Sequence, residues 1–366
     1  MACLLDVLRG RDECCVADDA QWEAMLTLAE EEHVLPWAVG CLRDRCAPMT
    51  EERQSRLEQI ERAAAIAAFY WSCELQRLLS EFATEAIEVV PLKGPFLAER
   101  LYGGTALREC RDLDLLVGVA DLARAEAVLV DAGYVPAEPD DYHRAWTRRG
   151  ATVELHYDVE NPLAFNFGVV GALRRAHGGT FQGQGCKQLA PEDELLYLCL
   201  HAARHRYERL RLVVDLRLAF EKLTGSANQW APREEVLDLN GLLVLGLAMA
   251  RRLDPSFEVP LEIDVSVKYR AHLEKVADGL WNALMTQTSE RLDWSAVHSF
   301  FIEMEEPGWA RLRRWGRHMR ILSARVIEAD SVFAARFGLR RAWHARLLRP
   351  VRLMSEAFGG RRSDGD

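Results

Sequence analysis

Arg108-Glu109-Cys110-Arg111-Asp112-Leu113-Asp114-Leu115-Leu116-Val117 is the stretch that decides the fold. Leu113 to Val117 reads as a β-strand, because apolar and β-branched side chains dominate it and Gly118 closes it. Side chains on a strand alternate between faces, so Asp112 and Asp114 project the same way while Leu113 and Leu115 face the core. Two carboxylates held roughly 5 Å apart at an effective dielectric of about 20 repel by about 3 kcal/mol. A divalent cation offsets this best, and hard oxygen ligands select Mg²⁺ or Mn²⁺, ions that also hold substrate phosphates. The competing reading neutralises the pair at the surface with Arg108 and Arg111, where each ion pair contributes only about 0–1 kcal/mol.

Upstream, Ile87 to Leu92 forms a second short apolar strand that runs into Lys93-Gly94. Pro95-Phe96-Leu97-Ala98-Glu99-Arg100-Leu101-Tyr102 follows, with proline in the first turn of a helix. A strand feeding a glycine turn and a helix offers free backbone N–H groups to an anion, and Lys93 adds a formal charge there. By itself this is also what an ordinary strand-to-helix turn looks like. Downstream, Tyr142 to Thr147 and Ala151 to Tyr157 flank Arg148-Arg149-Gly150 and predict a β-hairpin. Glu154 and His156 share one face of its second strand, so Glu154 is the natural third carboxylate. His156 reads as a solvated histidine on that face, with a supporting partner of the metal-binding carboxylates as the alternative.

Leu92-Lys93-Gly94, Leu101-Tyr102, Arg108, Asp112-Leu113-Asp114-Leu115-Leu116-Val117, Gly133-Tyr134 and Glu154-Leu155-His156 together resemble the polymerase-β-like nucleotidyltransferase superfamily. More narrowly they resemble its bacterial uncharacterised nucleotidyltransferase family. Glu194-Leu195-Leu196, His201-Ala202-Ala203-Arg204-His205, Leu210-Arg211 and Asp215 extend the likeness. Lys93-Gly94 stands where many members carry Gly-Ser, and Glu154 where many use aspartate.

The resemblance implies an α+β fold: a polymerase-β-like core with a small mixed sheet, flanked by N- and C-terminal helical regions. It also implies transfer of a nucleotidyl group from an NTP using Mg²⁺ (or Mn²⁺), on a hydroxyl acceptor in a small molecule, peptide or protein. Asp112, Asp114 and Glu154 would be the catalytic and metal-binding carboxylates. Lys93, Gly94 and Arg108 would hold phosphates, with His201, His205 and Asp215 near the nucleotide or acceptor. A plain salt bridge from Arg108 to Asp112 is an equal alternative.

His201 and His205 fall four apart on one face of a helix opened by Pro191-Glu192-Asp193. That spacing can hold zinc, but His-Ala-Ala-Arg-His lacks the glutamate of His-Glu-x-x-His, and a structural pair satisfies it equally. Two other functions remain open: an Asp-x-Asp glycosyltransferase, and a catalytically silent nucleotide-binding or scaffolding subunit of a biosynthetic operon.

The 366 residues, 49% of them hydrophobic, suffice for two or three packed units. The expected divisions are an N-terminal helical region at 1–86, a nucleotidyltransferase-like core at 87–190, a C-terminal helical domain at 191–358 and a disordered tail at 359–366. Nine scattered cysteines and the lack of a signal-like start point to a reducing cytoplasm. The longest apolar run, Leu242 to Ala250, falls short of the roughly 20 residues that span a bilayer. A net charge of −10 argues against general affinity for nucleic acid.

Arginine- and tryptophan-rich stretches at Trp309–Trp315 and from Leu339 to Arg352 predict helices that could meet RNA, an anionic membrane surface or an acidic partner protein. A solvated face is the alternative. In the N-terminal region Leu57, Ile60, Ala64, Ala68, Trp71, Leu75, Leu78 and Phe82 form a helical packing stripe, and Asp18 or Asp19 can cap an earlier helix. The glycine-rich run Gly178 to Gly185 reads as a flexible loop, with no hydrophobic helix opening behind it.

Overall fold

The computed structural model describes residues 1–10, 18–45, 49–139, 143–159, 167–224, 239–259, 261, 263–286, 300, 301 and 304. Met1–Asn161 with Phe167–Leu292 make one compact unit, and Pro162–Asn166 with Asp293–Asp366 a second. Of the second, Phe300, Phe301 and Met304 are described and buried. The arginine- and tryptophan-rich stretches and the 359–366 tail lie outside the described residues.

The first unit opens with helices α1 (Ala2–Leu8), α2 (Asp19–Glu31), α3 (Leu35–Arg45) and α4 (Glu51–Thr84). Asp18 caps α2, its carboxylate accepting from Gln21 N at 2.7 Å. Thr50 caps α4 in the same way. Along α4 the stripe Leu57, Ile60, Ala68, Trp71, Leu75, Leu78 and Phe82 is buried, as its spacing of threes and fours requires, and Ala64 is half-buried.

A five-stranded mixed sheet follows: β1 (Val89–Pro91), β2 (Leu113–Val117), β3 (Val135–Pro139), β4 (His143–Arg148) and β5 (Ala151–His156), in the order β1-β2-β5-β4-β3. Only β2 and β5 run parallel. The hairpin β4–β5 turns on Arg149 (φ 47°) and Gly150 (φ 85°), the paired left-handed conformation that matches strand twist. Helices α5 (Gly94–Leu97) and α6 (Leu122–Asp131) lie between strands, and Gly133, left-handed at φ 84°, ends the turn after α6. The predicted helix from Pro95 to Tyr102 is split: after α5 the chain widens into one π-helical turn, Ala98–Tyr102.

Alternation then sorts the sheet. Leu113, Leu115, Val117, Val153 and Leu155 join one core with Trp71, Leu75, Leu78 and Phe82 of α4 and Leu129 of α6. The residues between them, Asp114, Glu154 and His156, are left for the opposite side.

Helix α7 (Val169–Arg175) precedes a correction. The glycine-rich run is not a loop but the hairpin β6 (His177–Phe181) and β7 (Gln184–Gln188). Gln182 (φ 47°) and Gly183 (φ 84°) supply a two-residue turn, and the fully buried Phe181 ties the hairpin to the core against Phe96. Glycine content concealed one anchoring aromatic. The rest is helical: α8 (Pro191–Arg204), α9 (Leu210–Thr224), α10 (Leu239–Leu253), stopping just before Pro255, and α11 (Val267–Thr286). No helix among the described residues is long and apolar enough to cross a membrane.

Candidate active site

Leu92 N donates to Asp114 O at 2.9 Å, so pairing with β2 runs one residue past β1, up to Lys93-Gly94. Gly94 takes φ +66°, and a Cβ there would meet Cys110 Sγ at 3.4 Å and Asp112 O at 3.6 Å. The space is tolerable; the backbone conformation is the constraint. Gly94→Ala is therefore expected to cost about 1–2 kcal/mol in denaturant unfolding, from the left-handed conformation alone.

The parallel register sets Asp114 directly beside Glu154. Asp114 is 1% exposed; its Oδ1 accepts from Lys93 Nζ at 3.0 Å and His156 Nε2 at 3.1 Å. Its Oδ2 is buried with no hydrogen-bond partner. Burial opposes the charge on Asp114, but Lys93 and His156 overcome it and hold the carboxyl far below its usual range. His156 Nε2 also lies 3.3 Å from Glu154 Oε2, and its ring stacks on His143 at 5.0 Å. His156 is thus not the solvated histidine the sequence suggested. It is 2% exposed and shared between two carboxylates, which raise its pKa against the effect of burial.

Asp112 stands just outside β2. Burial and the charge of Asp114 push its pKa up, with Lys93 pulling the other way. Glu154 is pushed up by burial and drawn below its normal range by the hydrogen bond from His156. Ligand atoms of Asp114, Glu154 and His156 lie within 4.8 Å of one another, close enough to hold one metal ion. With His156 Nε2 donating to both carboxylates, the oxygens of Asp114 and Glu154 are the donors that fit a hard cation, and Asp112 falls outside this cluster. The orphaned Asp114 Oδ2 is a buried acceptor that such an ion would satisfy.

A cleft of about 330 Å³ opens over Asp112 and Glu154, with the buried Asp114 behind its lining. Lys93, Gly94, Arg108, Asp112, Glu154, His201 and His205 all line it, so most of the residues singled out in the sequence converge there. Arg108 and Asp215, which the sequence reading puts on the nucleotide, bind each other instead. Arg108 Nε and Nη2 donate to Asp215 Oδ1 and Oδ2 at 2.8 and 2.9 Å, and Tyr102 Oη donates to Oδ1 at 2.6 Å. All three are buried, so Asp215 lies behind the cleft wall. The salt bridge from Arg108 to Asp112 does not form, because Asp215 offers a buried bidentate partner. Arg111 reaches His33 instead of the acidic pair.

His201, in the last turn of α8, and His205, its C-cap, pack edge to face at 4.7 Å, and burial drives both pKa values down. Neither joins a metal-ligating cluster among the described residues. Sequence reasoning missed the far wall: His33 at the end of α2, Arg204, Glu208 and Arg209 around the α8–α9 turn, and Arg211 in the first turn of α9. Only the proximity of Arg204 and Arg211 to the histidine pair hinted at them.

Two solved structures are weakly similar to this chain. One is ANT(2″)-Ia in complex with adenylyl-2″-tobramycin: 13% identity, TM-score 0.35, spanning 50% of this chain and 97% of that one. The other is an antigenic nucleotidyltransferase-like protein from Paracoccidioides brasiliensis: 19% identity, TM-score 0.35, spanning 50% and 88%. No curated protein sequence matches. The family described as Uncharacterised nucleotidyltransferase matches residues 18–254, well over half of the chain and all of the cleft, and the chain belongs to that family.

Proposed function

We propose that the protein is a metal-dependent nucleotidyltransferase that moves an NMP group from an NTP to a hydroxyl of a small molecule, peptide or protein. The acceptor oxygen attacks the α-phosphorus, the bond from that phosphorus to the β-phosphate's bridging oxygen breaks, and pyrophosphate leaves. One observation carries this reading: Asp114 and Glu154 stand side by side across the parallel pair β2/β5, Glu154 and Asp112 line a cleft that also holds Lys93 and Arg211, and Asp114 keeps one oxygen unpaired.

Asp112, Asp114 and Glu154 would hold Mg²⁺ or Mn²⁺. When bound, the ion stabilises charge on the attacked phosphate and lowers the pKa of the acceptor hydroxyl. His156 keeps the Asp114 and Glu154 carboxylates ionised and oriented through its two hydrogen bonds. Lys93 and Gly94 form the wall suited to the leaving phosphates. His201, largely buried in the cleft wall and with its pKa lowered by burial, is suited to packing against nucleotide or acceptor.

The test incubates the protein with each labelled NTP, Mg²⁺ or Mn²⁺ and lysate of its own host, and seeks a nucleotidylated product by mass spectrometry. Chelation by EDTA is expected to abolish the product and added Mg²⁺ to restore it. Consumption of a nucleotide sugar instead would make the protein a glycosyltransferase. Nucleotide binding without any product would make it a silent subunit.

A further inference from the structure

The cations around the cleft are not equally available. Arg108 is fully engaged by Asp215, Lys93 lies on Asp114 Oδ1, and Arg209 sits 3.9 Å from Glu32. Arg211 differs. Its Nε is buried without a hydrogen bond, and its guanidinium has no ion-pair partner among the described residues. Burial and the neighbouring charge of Arg108 lower the pKa of Arg211, outweighing the opposing charges of Asp215 and Asp112. A half-desolvated cation beside another cation is unfavourable unless an anion comes to it.

The chain also fixes where this arginine stands. The buried Glu32 carboxylate accepts from Leu210 N at 2.8 Å, and Glu32 O accepts from Arg211 N at 3.3 Å. The turn that delivers α9 holds two non-glycine residues in the left-handed region, Arg206 (φ 48°) and Tyr207 (φ 55°), and Tyr207 is completely buried. Backbone strain of that kind persists only where surrounding contacts overdetermine it. Arg211 is therefore held, without an ion-pair partner among the described residues, in the same cleft as Gly94, Asp112 and Glu154.

We propose that Arg211 is the phosphate-binding arginine of the cleft, taking the anionic tail of the triphosphate in the role that the resemblance implies for Arg108. A planar guanidinium suits phosphate oxygens bidentately, and Arg108 is left as a positioning residue behind it. The assignment rests on the nucleotidyl-transfer reading for the identity of the anion.

Titration calorimetry with inorganic tripolyphosphate, and with nonhydrolysable analogues of the four NTPs plus Mg²⁺, tests it on the wild type, Arg211→Gln and Arg211→Lys. Arg211→Gln is expected to weaken binding about tenfold to a hundredfold, the scale of a charge-assisted hydrogen bond, with Arg211→Lys between. The ligand-free Arg211→Gln protein should melt at or above the wild-type temperature, because a half-desolvated cation beside Arg108, with no ion-pair partner among the described residues, has been removed. A structural role predicts the opposite. Unchanged affinity in Arg211→Gln, or a lowered melting temperature, overturns the assignment while leaving nucleotidyl transfer standing. A wild type that binds neither tripolyphosphate nor any nucleotide overturns both.

Discussion

Replacing Asp112 by asparagine is expected to cut nucleotidyl transfer on the order of a thousandfold or more, the scale on which sites lose a group that stabilises transition-state charge. The same change should leave the ligand-free protein as stable as the wild type, or more so. Asp112 receives no hydrogen bond from Lys93 or His156, whereas burial and the Asp114 charge act against it. Removing one of two like charges relieves repulsion. Asp114→Asn would be the poorer test, because Lys93 and His156 would lose the carboxylate that neutralises them, and breaking a buried pair costs about 3–5 kcal/mol. Turnover and thermal melting measured side by side check both halves. Full activity in Asp112→Asn would remove the residue from the site, and a fall in melting temperature like that of Asp114→Asn would make it structural.

The sequence made the acidic floor readable because strand alternation is local. Once Leu113 to Val117 and Ala151 to His156 are strands, Asp114, Glu154 and His156 must leave the core face. Parallel pairing of β2 with β5 then puts Asp114 opposite Glu154, a register that the residue pattern alone does not state. His156 was legible in direction but not in environment. Its burial depends on the stacked His143 ring and on two carboxylates brought from separate strands.

The cationic wall was less legible for a related reason. Arg108 and Arg211 are both arginines near the site, and which one meets ligand depends on which one Asp215 captures across 107 positions of chain. No periodicity encodes that choice. The hairpin at His177 to Gln188 failed for a simpler cause: glycine content suggests a loop, and only the burial of Phe181 shows that the strands are anchored.

Replacing Asp215 by asparagine should give the largest loss of stability. Its carboxylate holds both Arg108 nitrogens and the Tyr102 hydroxyl, with Arg108 and Asp215 side chains each only 4% exposed. Asparagine keeps the shape but strands the Arg108 charge in the interior. The expected cost is about 3–5 kcal/mol, on the order of 10 °C in melting temperature for a domain of this size.

Burial alone would push Asp215 up, but Arg108 more than reverses it and holds the carboxyl below its usual range. A depressed carboxyl contributes stability above its unfolded pKa and loses it as pH falls through the folded value. The gap between wild type and Asp215→Asn should therefore persist through neutral pH and narrow only below about pH 4. Arg108→Met combined with Asp215→Leu removes both charges, and buried pairs replaced by apolar groups often lose nothing. The double variant should recover most of the stability, and thermal melting of the two single variants and the double closes the cycle. If the clasp serves only to support the wall, tripolyphosphate affinity should survive in the double variant; if Arg108 itself meets phosphate, that affinity is lost although the fold returns.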